Sequence, residues 1–396
     1  MQKDFWIEKL QSKRRHTRLK AIRKLAKDWT FDWCDEIPET RNANVQFRTC
    51  YSGFDRMPAF VAYYAAKFSQ PVFGMVDYAS LAGAEELRLS CRMTGGVYFC
   101  GAEVSVRTAG GEKIRAMAFG VPRKLRKKFH AALAPYRAAH REYVLDLAGK
   151  INARLKKYGV HVEAKDAFLS LKKQKVYAER LLYGKFAEAV IEKYATGEKI
   201  LAFLDEAGVE LTEEMRLTLA DRANSLYEND LAYALFCGLK IRRPEEKTFS
   251  LKEFASLCGK FGAICSAEAS GADPAVLDEL AAEGATSATI ALSDDEKTLS
   301  DFYDACFARD LIPLARTVID HSRKKIDSYF GNEELARKYR ETTLAIVGHE
   351  ISASIRGEDG IFGEEGGEGA SSLADRVRLY SRIGSKGGKY KIEKRK

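Results

Sequence analysis

Long apolar runs are missing from this chain. No stretch of its 396 residues approaches the roughly 20 consecutive apolar positions of a membrane-spanning helix, so no membrane association is expected. The opening Met1-Gln2-Lys3-Asp4-Phe5-Trp6 leads into basic sequence without an apolar run or a small-residue cleavage site, which does not read as a secretory signal. None of the eight cysteines forms a Cys-x-x-Cys pair, so neither a disulfide frame nor a zinc ribbon is indicated. Most of them lie in apolar surroundings, such as Cys100 after Val97-Tyr98-Phe99 and Cys265 after Ala263-Ile264. That is how free, buried thiols look in a reducing compartment, and a cytoplasmic location is expected. No glycine-rich phosphate loop follows a strand-like run, no Gly-x-Ser-x-Gly elbow occurs, and no cysteine has a histidine close to it in sequence.

Hydrophobic residues make up 46% of the chain, enough for a sizeable core, and the net charge is +9. The positive charge is clustered: eight cations between Lys13 and Lys27, the run Arg123-Lys124-Leu125-Arg126-Lys127-Lys128, and the tail Lys386–Lys396. In the first cluster Leu19, Ile22, Ala26 and Trp29 recur at helical spacing, which describes a helix with a solvated basic face. Such cations also suit weak contact with nucleic-acid phosphates or an acidic partner, although no base-reading or stacking signature accompanies them.

Residues 42–121 and 249–350 alternate strand-like runs with helical patterns. The strands are expected at 44–49, 72–77, 97–106 and 114–119, then at 262–266, 287–292 and 311–318. Repeated strand–helix units imply parallel strands with helices outside, and about seven strands suggest a barrel. Between them, residues 122–248 show helical periodicity almost throughout and read as an insertion. A basic helical segment (1–41) precedes the barrel. Residues 351–396 supply a Gly/Glu-rich loop, a helix at Leu373–Ile383 and a basic tail.

Chemistry in an α/β barrel belongs at the carboxyl ends of its strands. The residues expected there are Gln46 and Arg48, Asp77 and Tyr78, Glu103, Phe119, Glu268, Asp294 and Asp295, and the stretch from Arg316 to His321. The order Asn44-Val45-Gln46-Phe47-Arg48-Thr49, Gly74-Met75-Val76-Asp77-Tyr78, Gly101-Ala102-Glu103 resembles the opening of the PHP (polymerase and histidinol phosphatase) superfamily. Ile191–Lys199, Gly348-His349-Glu350 and Leu373–Tyr380 are similar to its long members with a helical insertion. The resemblance implies a distorted (β/α)7 barrel interrupted by that insertion. It also implies a phosphoesterase site in which His-x-His, Asp-His and Glu hold two or three divalent ions.

Here Gln46 and Arg48 replace the His-x-His pair, Tyr78 the next histidine and Phe119 a further one, while Arg316 stands where an acidic residue is usual. A guanidinium is cationic and phenylalanine has no lone pair, so neither ligates a metal. The first expectation is therefore a PHP-like protein with a degenerate site, without metal or catalysis, that binds an anionic small molecule or a protein partner. In it Arg48 would pair with Asp77 or Glu103, and Arg316 would act similarly on the opposite rim. The alternative is a metal-dependent phosphoesterase with one Mn, Zn or Fe ion on Asp77, Glu103, Asp320 and His321. A third reading is nucleic-acid association through the basic termini. His349 reads as a helix-end residue, and His16, His130, His140 and His161 as surface positions on basic helices.

Overall fold

The computed structural model describes residues 2–28, 44–68, 70, 72–171, 174–292, 295–319, 330–355, 360–362 and 372–386. Its strands are β1 (Val45–Phe47), β2 (Val72–Tyr78), β3 (Val97–Arg107), β4 (Lys113–Phe119), β5 (Phe168–Leu171), β6 (Gln174–Tyr177), β7 (Phe249–Ser250), β8 (Ile264–Glu268), β9 (Ser287–Ala291) and β10 (Ile312–Ile319). Seven of them close a barrel in the order β2-β1-β10-β9-β8-β4-β3, with β3 returning to β2. Helices lie between the strands and outside them, so the fold is a distorted (β/α)7 barrel.

The barrel's helices start where the sequence supplies caps. Ser250 and Glu253 form a reciprocal capping box on Leu251–Lys260, and Asp273 caps a helix that opens with Pro274. Helix Ala84–Thr94 ends on Gly95, whose φ of 82° suits a residue without Cβ.

The expectation of uniformly parallel strands fails at β4, which runs antiparallel to both β3 and β8. Its physical reason is the short link Thr108-Ala109-Gly110-Gly111-Glu112, too short for a crossover and rich in turn residues. One end of β4 is therefore exchanged for the other: Phe119 faces Gly101 and Ile264, while Arg115 faces Ser105 beyond the end of β8.

Strand side chains alternate between two cores. Val45, Phe47, Phe73, Met75, Cys100, Ala102 and Ala267 pack outward against the surrounding helices. Val76, Phe99, Met117, Phe119, Ile264, Ile312 and Leu314 form a second cluster with Ala345, Ile346 and Val347 of helix Glu333–Ile355, and with Val377 and Tyr380 of helix Leu373–Ser385. Gly74 and Gly101 make room for it, since a Cβ at either would run into the Phe99 or Phe119 ring. The two N-terminal helices, Gln2–Lys9 and Arg15–Asp28, bury Leu10, Ala21, Ile22 and Leu25 with Ala59 and Tyr63. Most cations of the second helix are exposed, but Arg18 turns inward onto Glu86.

Residues 52–54 and 137–247 form a second compact unit with its own core, including Val144, Leu147, Ile151, Leu182, Phe186, Phe203 and Leu235. It is mainly helical, but β5 and β6 pair as an antiparallel ribbon where only helical periodicity is expected. The ribbon is four residues per strand and mostly half exposed, so its apolar alternation is too brief to stand out. Among the described residues no helix is long and apolar enough to cross a membrane.

Candidate functional site

At the carboxyl ends of the parallel strands the barrel interior changes from apolar to charged. Glu103 projects from β3, two positions beyond Gly101, and is almost fully buried. One of its carboxylate oxygens accepts from Arg48 Nη2 at 2.7 Å, just past the end of β1. The other accepts from Arg316 Nη1 of β10 at 3.1 Å. Arg316 is itself buried, lies 3.5 Å from the Met117 sulfur, and donates through its second terminal nitrogen to Glu268 at the end of β8. The result is a continuous chain, Arg48–Glu103–Arg316–Glu268, spanning β1, β3, β10 and β8.

Burial alone would raise the Glu103 pKa, but the charges of Arg48, Arg115 and Arg316 outweigh it and hold the group below the usual carboxylate range. Such a carboxylate is a poor proton acceptor near neutrality. Three guanidiniums face two carboxylates here, which leaves one positive charge in excess. Arg115, exposed on β4, carries the unneutralised part of it toward solvent.

Next to Glu268, two positions back along β8, Ser266 hydrogen-bonds Thr289 at 2.6 Å and accepts from Ser287 at 3.0 Å. Ser287 also donates to the Ile312 carbonyl at 2.7 Å. These hydroxyls satisfy one another inside the barrel and separate the ionic chain from the apolar floor.

The remaining expected residues fall elsewhere. Asp77 is fully buried, but it belongs to the outward-packing set of β2 with Phe73 and Met75. Its two oxygens accept from the Thr49 backbone N–H at 2.8 Å and the Thr49 hydroxyl at 2.6 Å. It therefore fixes the exit of β1, next to Arg48, and Arg48 pairs with Glu103 rather than with it. Gln46 donates to Asn44 at 2.9 Å, and Asn44 donates to Thr343 at 3.2 Å, which ties β1 to helix Glu333–Ile355. Tyr78 is half-buried beside Glu103 in register and packs against the outer core. Phe119 lies in the apolar floor at the opposite end of the barrel, edge-on to Phe99 at 5.6 Å. Asp295 caps helix Glu296–Phe307. Asp294, Asp320 and His321 lie outside the described residues.

His349 is corrected from helix end to helix interior. It is buried within Glu333–Ile355, donates from Nε2 to the Gly262 carbonyl at 2.9 Å, and accepts at Nδ1 from the Ile361 N–H at 3.1 Å. Those partners require the neutral ring, and burial lowers its pKa in the same sense. His130 and His140 are not bare surface residues either: His130 Nδ1 accepts from the Leu81 N–H at 3.2 Å, and His140 Nδ1 lies 2.8 Å from Glu246.

Arg115 and Met117 complete the site, and neither is expected from sequence. The Gly110-Gly111 turn was the available signal, because it fixes β4 as the returning arm of a hairpin and brings the start of that strand to the mouth. A divalent cluster does not fit the residues found there. Both Glu103 oxygens already accept from guanidiniums, and among the described residues no three His, Cys, Asp or Glu side chains converge.

No family model matches the chain, and no curated protein matches it. Among solved structures, a chain from Bifidobacterium adolescentis described as a "putative metal-dependent phosphoesterase" is 14% identical with a TM-score of 0.48; the alignment covers 76% of this chain and 96% of that one. An amidohydrolase from Chromobacterium violaceum, with bound sulfate and no metal, is 15% identical with a TM-score of 0.45, covering 75% of this chain and 96% of its own. Likenesses this distant do not bear on the chemistry of the present site, and the barrel assignment rests on the strand order.

Proposed function

We propose that this is a cytoplasmic, PHP-like barrel whose mouth binds an anionic small molecule, carrying a phosphate or carboxylate group, through guanidiniums instead of metal ions, and that it does not hydrolyse it. The observation that carries the reading is the placement of Arg48 and Arg316 on the two oxygens of Glu103. With the buried carboxylate neutralised by side chains, the interior needs no ion for charge balance. The half-shielded Arg48 and the exposed Arg115 then have donors to offer a ligand in forked geometry. Glu103, held ionised, acts as the anchor that orients both inner arginines.

Calorimetric titration of the full chain with inorganic phosphate tests this. Saturable binding is expected, and Arg48→Ala should weaken it about tenfold by removing a charge-assisted hydrogen bond. Absence of binding would contradict the reading. So would hydrolysis of a phosphate ester after loading with manganese, zinc or iron, if that activity were lost in an Asp77→Ala/Glu103→Ala variant.

A further inference from the structure

The β5–β6 ribbon has a composition and a geometry that the barrel reading does not use. From Ala167 to Ala178 the sequence holds three lysines, Lys172, Lys173 and Lys175, and no acidic residue. Phe168 and Tyr177 are direct cross-strand partners, as are Ser170 and Lys175, so these four side chains share one face. The opposite face holds the buried Val176. On the first face Ser170 and Lys175 are exposed, and both aromatic rings are half exposed.

The two rings lie 5.5 Å apart at an interplanar angle of 42°. A cation rests against each: Lys175 Nζ is 4.3 Å from the centre of Phe168, and the Arg141 guanidinium is 5.5 Å from that of Tyr177. Neither cation forms an ion pair with a carboxylate among the described residues. In a folded domain, adjacent half-exposed rings are a standing cost unless something covers them. An acidic peptide or an anionic membrane would use the charge but not the ring faces. A single-stranded nucleic acid uses both, since its bases stack on aromatic faces while its phosphates meet the cations.

We propose that the β5–β6 ribbon is a stacking platform for single-stranded nucleic acid, with Phe168 and Tyr177 taking bases and Arg141 and Lys175 taking the backbone. The test is fluorescence anisotropy with the full chain and labelled oligothymidylate or oligouridylate of about twenty nucleotides, long enough to span one such site. The same measurement is made on duplex DNA, polyglutamate and anionic vesicles. Binding to the single strands is expected to exceed that to the other three and to weaken steeply as salt rises. Phe168→Leu/Tyr177→Leu keeps apolar bulk but removes the ring faces, and should lower affinity about tenfold or more. Lys175→Glu, at an exposed position unlikely to disturb folding, should lower it as well. Circular dichroism confirms that each variant is folded. The proposal is overturned by absence of binding at low salt, by equal or stronger binding of polyglutamate or vesicles, or by binding that Lys175→Glu and the ring variant leave unchanged.

Discussion

In the barrel, Arg18, Arg126 and Arg316 are each withdrawn almost wholly from solvent, and each lies on a carboxylate: Glu86, Glu350 and Glu103. The inserted unit keeps many of its pairs at the surface instead, among them Arg216–Asp205, Lys185–Glu188 and Lys240–Glu210. The difference follows from shape. A closed barrel has a mouth whose inward positions are surrounded by neighbouring strands, so a charge there must find a partner within the wall. Short helices around a small core turn their polar faces to water, where a pair contributes little. The same charged residue types thus organise the interior of one region and merely decorate the other.

The largest expected break in that contrast is Arg316→Ala, which strands Glu103 and Glu268 with a single remaining guanidinium close by. Urea unfolding should show a loss of about 3–5 kcal/mol, the cost of leaving a buried pair half made. Next comes Thr49→Val, which removes the hydroxyl donor from the buried Asp77 but keeps the backbone bond. A loss of about 1–3 kcal/mol is expected, and a much smaller one would show that water reaches Asp77.

Acid should act on the barrel in two steps. His349 has its pKa lowered from the ordinary 6.5 by burial, so the unfolded chain takes up its proton first. Stability is full above that value and falls as the pH drops from there toward the folded-state value. Glu103, lowered from 4.5, adds a second loss that begins below 4.5. Thermal unfolding across pH should lose the upper step in His349→Gln if that variant folds, and the lower step in Glu103→Gln. The smallest effect belongs to the insertion: Arg216→Ala should leave the melting temperature unchanged, and a clear drop would show that the surface pairs are worth more than their exposure suggests.

Much of the barrel was legible because its strands and helices carry local signals: apolar runs, capping residues and the Gly-Gly turn. The ionic chain was legible in part. Arg48, Glu103, Glu268 and Arg316 stand out as charges in or just beyond apolar strands, and burial forces such charges together. Asp77 misleads because a shift of one position along a strand reverses the face, and nothing local separates an inward carboxylate from one that binds Thr49. Phe119 misleads for another reason: its strand direction is set by the length of the preceding turn, so reading each strand end as a mouth position sends β4 to the wrong rim. The β5–β6 ribbon was hidden by brevity, and with it the cross-strand pairing of Phe168 and Tyr177, which has no counterpart in helical spacing.

The central claim is that guanidiniums occupy the place where metal ligation would be required. Elemental analysis of the full chain after incubation with manganese, iron or zinc and removal of excess ion tests it most directly, with Asp77→Ala/Glu103→Ala as the control. The account predicts no stoichiometric metal in either protein. One or more equivalents retained by the natural chain and lost in the control would contradict it.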